Sequence, residues 1–340
     1  MQKAPLHSVP TLAPEADPET ARPDRVNGLP AQALLQDMKI SAVDPEPEQV
    51  PLPVVLIHGL LSTPREFGLI ALPVQSRGVT LFIPNIRDYT EADRGRFVSW
   101  ETWVDAACEA IRDLVGVDQP FVLGGLCSGG MVAAAVAARG EFNIRSLVMM
   151  SPSFGYDGWA RTIWWRLRGL GYALCLDRWI SIKESPPYGI KNEKIRKWVE
   201  RDMQQRATSA AGPSSLPLWA IHQSEKLMNH VVKQFPSLRI PTVVIHSKLD
   251  EICSLGIVQR VFETLPTGAN RLVVLENSYH MITIDNDRQQ VTAELLKCSG
   301  QRDRIAAAVI EPRSTTPTPH PAGALTPADP YTGALSCPTP

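Results

Sequence analysis

Residues 121–138 read FVLGGLCSGGMVAAAVAA: an apolar run, a glycine-bracketed turn centred on Cys127, then a stretch of small helix-forming residues. A strand, a sharp turn and a helix is the context of a nucleophile elbow. Gly125 and Gly129 bracket the turn in the pattern Gly-Leu-Cys-Ser-Gly, so the central residue is Cys127. Centring the motif on Ser128 instead would place Leu126 where a glycine is needed. The glycines permit a strained turn, and the helix that follows aims its N-terminal amides and dipole at the nucleophile, which favours a thiolate.

Outward from this element, short apolar runs alternate with helical patterns: VVLIH at 54–58, VTLFI at 79–83, SLVMM at 146–150, TVVIH at 242–246 and LVVLE at 272–276. That rhythm predicts an α/β fold with a mostly parallel sheet. Trp100, Val104, Ala107, Ile111 and Leu114 recur at three or four residues and predict one helix with a single buried stripe. Residues 153–238 break the rhythm, and without a clear strand they read as a mostly helical insertion, or cap. Residues 1–50 are dense in Pro, Glu and Ala, and residues 300–340 carry Thr-Pro repeats such as TTPTPHPAG. Both ends are expected to be disordered tails around one domain at 51–299.

The chain has 340 residues, 44% hydrophobic and 20% charged, with a formal net charge of −1, so nothing global draws it to nucleic acid or an anionic membrane. No apolar run suits a transmembrane helix, and the first residues lack the apolar core of a secretory signal, which makes the cytoplasm the expected location. The six cysteines carry neither the CxxC spacing nor the His clusters of a zinc site, and they do not read as a disulfide framework.

A lone cysteine is ordinarily a small buried hydrophobe. Two later motifs argue otherwise for Cys127. HSKLDEIC puts Asp250 on the loop after one strand, and ENSYHMITID puts His280 on the loop after the next. Nucleophile, acid, histidine is the chain order of a Ser-type triad on this kind of scaffold. A thiol needs a base, and the base needs a carboxylate to fix its tautomer, so Cys127, His280 and Asp250 fill three complementary roles. His58-Gly59-Leu60-Leu61 follows the first long apolar strand, where the Leu60 amide can pair with that of Ser128 as an oxyanion hole.

From Pro53 to Leu296, the segments VLIHGLLSTPREF, GLCSGG, HSKLDEI and SYHMITID resemble the bacterial carboxylesterase and monoacylglycerol-lipase branch of the α/β-hydrolases. The resemblance implies an eight-stranded sheet flanked by helices, a helical cap over the site, and no cofactor or metal. That branch carries Ser where this chain has Cys127. A cysteine in the elbow resembles instead polyhydroxyalkanoate synthases, dienelactone hydrolases and some thioesterases of secondary metabolism. A sulfur nucleophile makes the acyl-enzyme a thioester, which shifts the expectation toward thioester hydrolysis or acyl transfer to an alcohol or amine. A carboxylesterase or lipase, and a ligand-binding protein on a hydrolase scaffold, stay open as alternatives.

Between 154 and 212 Lys and Arg outnumber Asp and Glu, which suits docking of an acidic acyl carrier protein or the phosphates of coenzyme A. Trp159, Trp164, Trp165 and Trp179 in the same stretch could line an acyl-chain pocket or serve plain cap packing, and together with Arg they could also meet a membrane headgroup layer.

Overall fold

The computed structural model describes residues 50–159, 168–206, 208–266 and 268–300. The expected tails, apart from Val50 and Gly300, lie outside the described residues, as do Cys337, Trp164 and Trp165. In chain order the first half runs β1 (Val54–Ile57), α1 (Gly68–Gln75), β2 (Leu81–Phe82), α2 (Trp100–Leu114), β3 (Phe121–Leu126), α3 (Ser128–Arg139) and β4 (Ile144–Met150). The interval after β4 holds α4 (Arg168–Ala173), β5 (Ser181–Lys183), α5 (Glu193–Gln205), β6 (Thr208–Ser209), β7 (Gly212–Pro213), β8 (Ser215–Pro217) and α6 (Leu218–Gln234). The chain then returns through β9 (Thr242–Ser247), α7 (Leu255–Phe262), β10 (Arg271–Leu275) and α8 (Arg288–Cys298).

Six strands form one sheet in the order β10-β9-β4-β3-β1-β2, and every pairing is parallel. The sheet explains the unbroken apolar runs, because its four inner strands β1, β3, β4 and β9 are buried on both faces. Val55, Ile57, Leu123, Leu147, Met149 and Val244 join the layer of α2, α3 and α6. Their neighbours Val54, Leu56, Val122, Val148, Met150, Val243 and Ile245 join the layer of α1 and α8. Full burial of each such side chain contributes about 1.5–3 kcal/mol. α2 spans Trp100–Leu114 with the expected stripe inward, although its two ends, Trp100 and Leu114, are only partly covered.

One expectation needs correction: the sheet has six strands among the described residues rather than eight. The interval 153–238 carries the helices α4, α5 and α6 together with short strands. β5 pairs with β8 and β6 with β7 as short antiparallel ribbons, and α6 buries Leu218, Trp219, Ala220, Ile221, Leu227 and Val231 in the same layer as α3. α6 therefore belongs to the sheet's covering layer, and the insertion proper ends near Pro217. No described helix is long and apolar enough to cross a membrane.

The elbow is set by close backbone approach. A Cβ on Gly125 would lie 2.3 Å from the Gly129 carbonyl carbon and oxygen, and one on Gly129 would lie 2.2 Å from the His58 carbonyl oxygen. No side chain fits at either position. Gly129→Ala should therefore cost more than about 4 kcal/mol in chemical denaturation, or prevent folding. Gly95→Ala, where nothing lies within 4 Å of the new methyl group, should change stability by less than about 0.5 kcal/mol. Equal effects of the two substitutions would contradict this account of the elbow.

Candidate active site

Cys127 sits at the tip of the elbow with φ 56° and ψ −123°, a conformation L-residues rarely adopt and one costing on the order of 1–3 kcal/mol. The strain is held by neighbours: the Cys127 amide donates to the Met150 carbonyl at 2.9 Å, and the Gly130 amide to the Cys127 carbonyl at 3.1 Å. The sulfur is partly accessible and lies 3.1 Å from the buried Ser153 hydroxyl. Ser153 stands on the loop after β4 and had no sequence signal to mark it.

Asp250 and His280 come together from the loops after β9 and β10. The His280 Nδ1–H donates to Asp250 Oδ2 at 2.7 Å, and both side chains are buried. The other carboxylate oxygen accepts the amides of Ile252 at 2.8 Å and Cys253 at 3.0 Å. Both oxygens of Asp250 are thus engaged, which fixes the imidazole tautomer. Burial works against ionisation of Asp250, yet the two adjacent histidines and these hydrogen bonds hold its carboxyl below the usual range. Burial likewise disfavours a charged His280, but the Asp250 carboxylate and the Cys127 sulfur carry it well above its ordinary value. Its Nε2 has no hydrogen-bond partner among the described residues.

The second histidine, His246 at the end of β9, is buried and donates Nε2–H to the Cys253 carbonyl at 2.8 Å, with Asp250 Oδ2 3.7 Å away. Burial lowers its pKa, against the pull of the Asp250 carboxylate. It braces the turn that carries Asp250. Glu251, also buried, accepts the His280 amide at 3.1 Å. Burial, reinforced by the Asp250 charge, pushes its carboxyl up to about 7 even though His280 pulls the other way. The His280 loop is pinned further by Asp285, which accepts the Tyr279 amide at 2.9 Å and the amides of Lys191 and Asn192 ahead of α5.

The His58-Gly59-Leu60 turn lies against the elbow, as the Gly129 contact with the His58 carbonyl requires. Its Gly59 carbonyl accepts from His58 Nδ1 at 2.9 Å and from the Ser62 amide at 3.2 Å. A trans peptide sets N–H opposite C=O, so holding that oxygen aims the Leu60 N–H the other way. The Leu60 amide has no hydrogen-bond partner among the described residues. Ser128 opens α3, so its amide has no acceptor inside the helix. The His58 ring stacks on Tyr89, with centroids 5.3 Å apart, and burial lowers its pKa to about 4, so it is neutral near pH 7.

Of the four tryptophans of the insertion only Trp159 and Trp179 are described, and both are exposed. Trp179 is 86% exposed and Trp159 60% exposed. Trp159 instead donates its indole N–H to the Leu249 carbonyl at 3.2 Å and meets the Tyr279 ring edge-on, touching both loops that carry the acid and the histidine. Among the described residues no group of three or more His, Cys, Asp and Glu side chains is arranged to hold a metal ion.

Residues 49–287 match the Hydrolase_4 family, described as serine aminopeptidase, S33. A thermostable monoacylglycerol lipase from Bacillus sp. (strain H-257) is 20% identical over 254 residues, which span 74% of this chain and 91% of that protein. Among solved structures, the monoacylglycerol lipase of Paleococcus ferrophilus superposes with a TM-score of 0.59 at 17% identity, covering 74% of this chain and 97% of that one. The monoglyceride lipase of Saccharomyces cerevisiae gives 0.61 at 13% identity, covering 75% and 89%. These structural likenesses concern the fold.

Glu251 has an ordinary carboxyl value of 4.5 and one of about 7 in the fold, so its contribution to stability is complete below pH 4.5 and is lost as pH rises through 7. Glu251→Gln removes that loss. Between pH 5 and pH 8 the melting temperature of the variant should rise relative to wild type; a gap that stays constant across this range would contradict the buried-carboxyl assignment.

Proposed function

The chain belongs to the Hydrolase_4 family of α/β-hydrolase enzymes, and on that footing we propose that it is an acyl hydrolase whose nucleophile is Cys127, acting with His280 and Asp250 on hydrophobic acyl thioesters. The observation that carries this reading is the position of an accessible cysteine at the strained tip of the elbow, beside an imidazole already bonded to a buried carboxylate. His280 takes the thiol proton as the sulfur adds to the acyl carbonyl carbon. The Leu60 and Ser128 amides receive the negative oxygen of the tetrahedral intermediate. Collapse expels the carrier thiolate, which leaves with the proton held by His280 and so departs as a free thiol. In the second half, His280 deprotonates a water that attacks the acyl-Cys127 carbonyl, and the sulfur departs with that proton as the free acid forms. An alcohol or amine in place of water turns the same sequence into acyl transfer.

Sulfur favours a thioester donor, because exchanging one thioester for another is nearly balanced in free energy. An acyl carrier protein suits the outside of the insertion: Lys194, Lys197 and Arg201 are exposed on α5 at spacings that put them on one face, offering positive charge to an acidic partner. A second reading, ester hydrolysis on monoacylglycerol-like substrates, is favoured by the likeness to the Bacillus monoacylglycerol lipase.

Both readings are separated by initial rates on matched acyl coenzyme A, acyl carrier protein, p-nitrophenyl ester and monoacylglycerol substrates. The thioester reading expects turnover of thioesters that drops by about 10³-fold or more in Cys127→Ala. Ester turnover with no thioester turnover would replace it with the second reading, and activity unchanged in Cys127→Ala would remove Cys127 from the mechanism. Reversing charge at Lys194, Lys197 and Arg201 should raise KM for the carrier-protein thioester while leaving that for short esters unchanged; parallel changes for both would argue against docking at α5.

A further inference from the structure

We propose that Glu66 is a positioning residue for the oxyanion site, holding the Gly59 amide so that the adjoining Leu60 amide is aimed at the reacting carbonyl. This rests on the reading of Leu60 and Ser128 as oxyanion donors. The turn that supplies Leu60 has no regular secondary structure, and Leu61 within it has φ 48°. Something outside the turn must therefore fix it.

Glu66 is 3% exposed and accepts the Gly59 N–H through Oε2 at 2.6 Å. At 2.6 Å this contact lies at the short end of N–H···O bonds and holds the Gly59 amide in one direction. Two glycines make room for the carboxylate. A Cβ on Gly59 would stand 3.1 Å from both its oxygens, and one on Gly212, which has φ +98°, would stand 3.2 Å from Oε1. The Glu66 backbone carbonyl in turn accepts the Thr283 hydroxyl at 2.7 Å, joining this residue to the His280 loop. On the other side, Arg65 binds Asp202 of α5 at 2.7 Å and the Thr208 carbonyl at 3.3 Å. Residues 65 and 66 thus connect the oxyanion turn, the histidine loop and the insertion. Asp250 and His280 do not touch the Gly59 peptide in this arrangement, so its orientation depends on Glu66 and on the His58 and Ser62 contacts to its carbonyl.

The test compares two reactions of the same site in wild type, Glu66→Ala and Glu66→Gln. Hydrolysis of whichever acyl donor the wild-type enzyme turns over needs the oxyanion donors; alkylation of Cys127 by iodoacetamide forms no oxyanion and does not. Loss of a whole donor costs about 10²–10³-fold in kcat, so a misaimed one should cost about 10-fold in Glu66→Ala, with KM nearly unchanged. Iodoacetamide alkylation of Cys127 in that variant should stay within twofold of wild type. Glu66→Gln, which keeps an oxygen acceptor of similar size, should recover most of kcat. A parallel fall in both reactions, or no change in kcat, would overturn the proposal. A Cys127→Ala control that still turns over the donor would instead overturn the nucleophile assignment, and the response of kcat to Glu66 would still be read.

Discussion

The arrangement depends on a contact with no room for a side chain. Gly129, in the first turn of α3, packs on the carbonyls of Ile57 and His58 at the end of β1, and Gly125 at the end of β3 packs on Gly129. Because β1 and β3 are neighbours in the sheet, this contact forces the turn after β1 and the elbow tip at Cys127 into one place. It also keeps Cys127 at positive φ, since the strand before it and the helix after it leave no other path. Strain at one residue is sustained by the packing of two elements.

Around that point the site is built from buried carboxylates rather than cations. Asp250, Glu251 and Glu66 surround His280, and they are held at different protonation balances by their surroundings. Asp250 receives hydrogen bonds at both oxygens and stays ionised, whereas burial pushes Glu66 and Glu251 up to about 7. The Asp250 carboxylate and the Cys127 sulfur favour a positively charged His280. Exposed positive charge is carried by Lys194, Lys197 and Arg201 on α5.

Much of this was legible in the sequence for a physical reason. Strands buried on both faces must be continuously apolar, so VVLIH, FVLGG, SLVMM and TVVIH announced themselves, and the glycines of GLCSGG marked a turn that nothing larger could form. Strand-end loops bring Asp250 and His280 together, so chain order alone located that pair. α6 was assigned to the insertion because its apolar face carries no label saying which layer it covers. The ribbons β5–β8 and β6–β7 carry no sequence signal because strands of two or three residues are too short to show an alternation. Glu66, Glu251, His246 and Ser153 left no pattern either: a buried polar residue is defined by partners distant in sequence, and Glu66 meets Thr283 across 217 positions.

In the proposed mechanism the acyl group passes through the sulfur of Cys127, so the decisive measurement is to quench the enzyme with acid during turnover, digest it, and locate the acyl group by tandem mass spectrometry. A single acylated site is expected, on the peptide containing Cys127 and on its sulfur, with acylation lost on treatment with neutral hydroxylamine, which cleaves thioesters. An acyl group on Ser128 or Ser153, or turnover with no acylated residue in the wild-type enzyme, would contradict it.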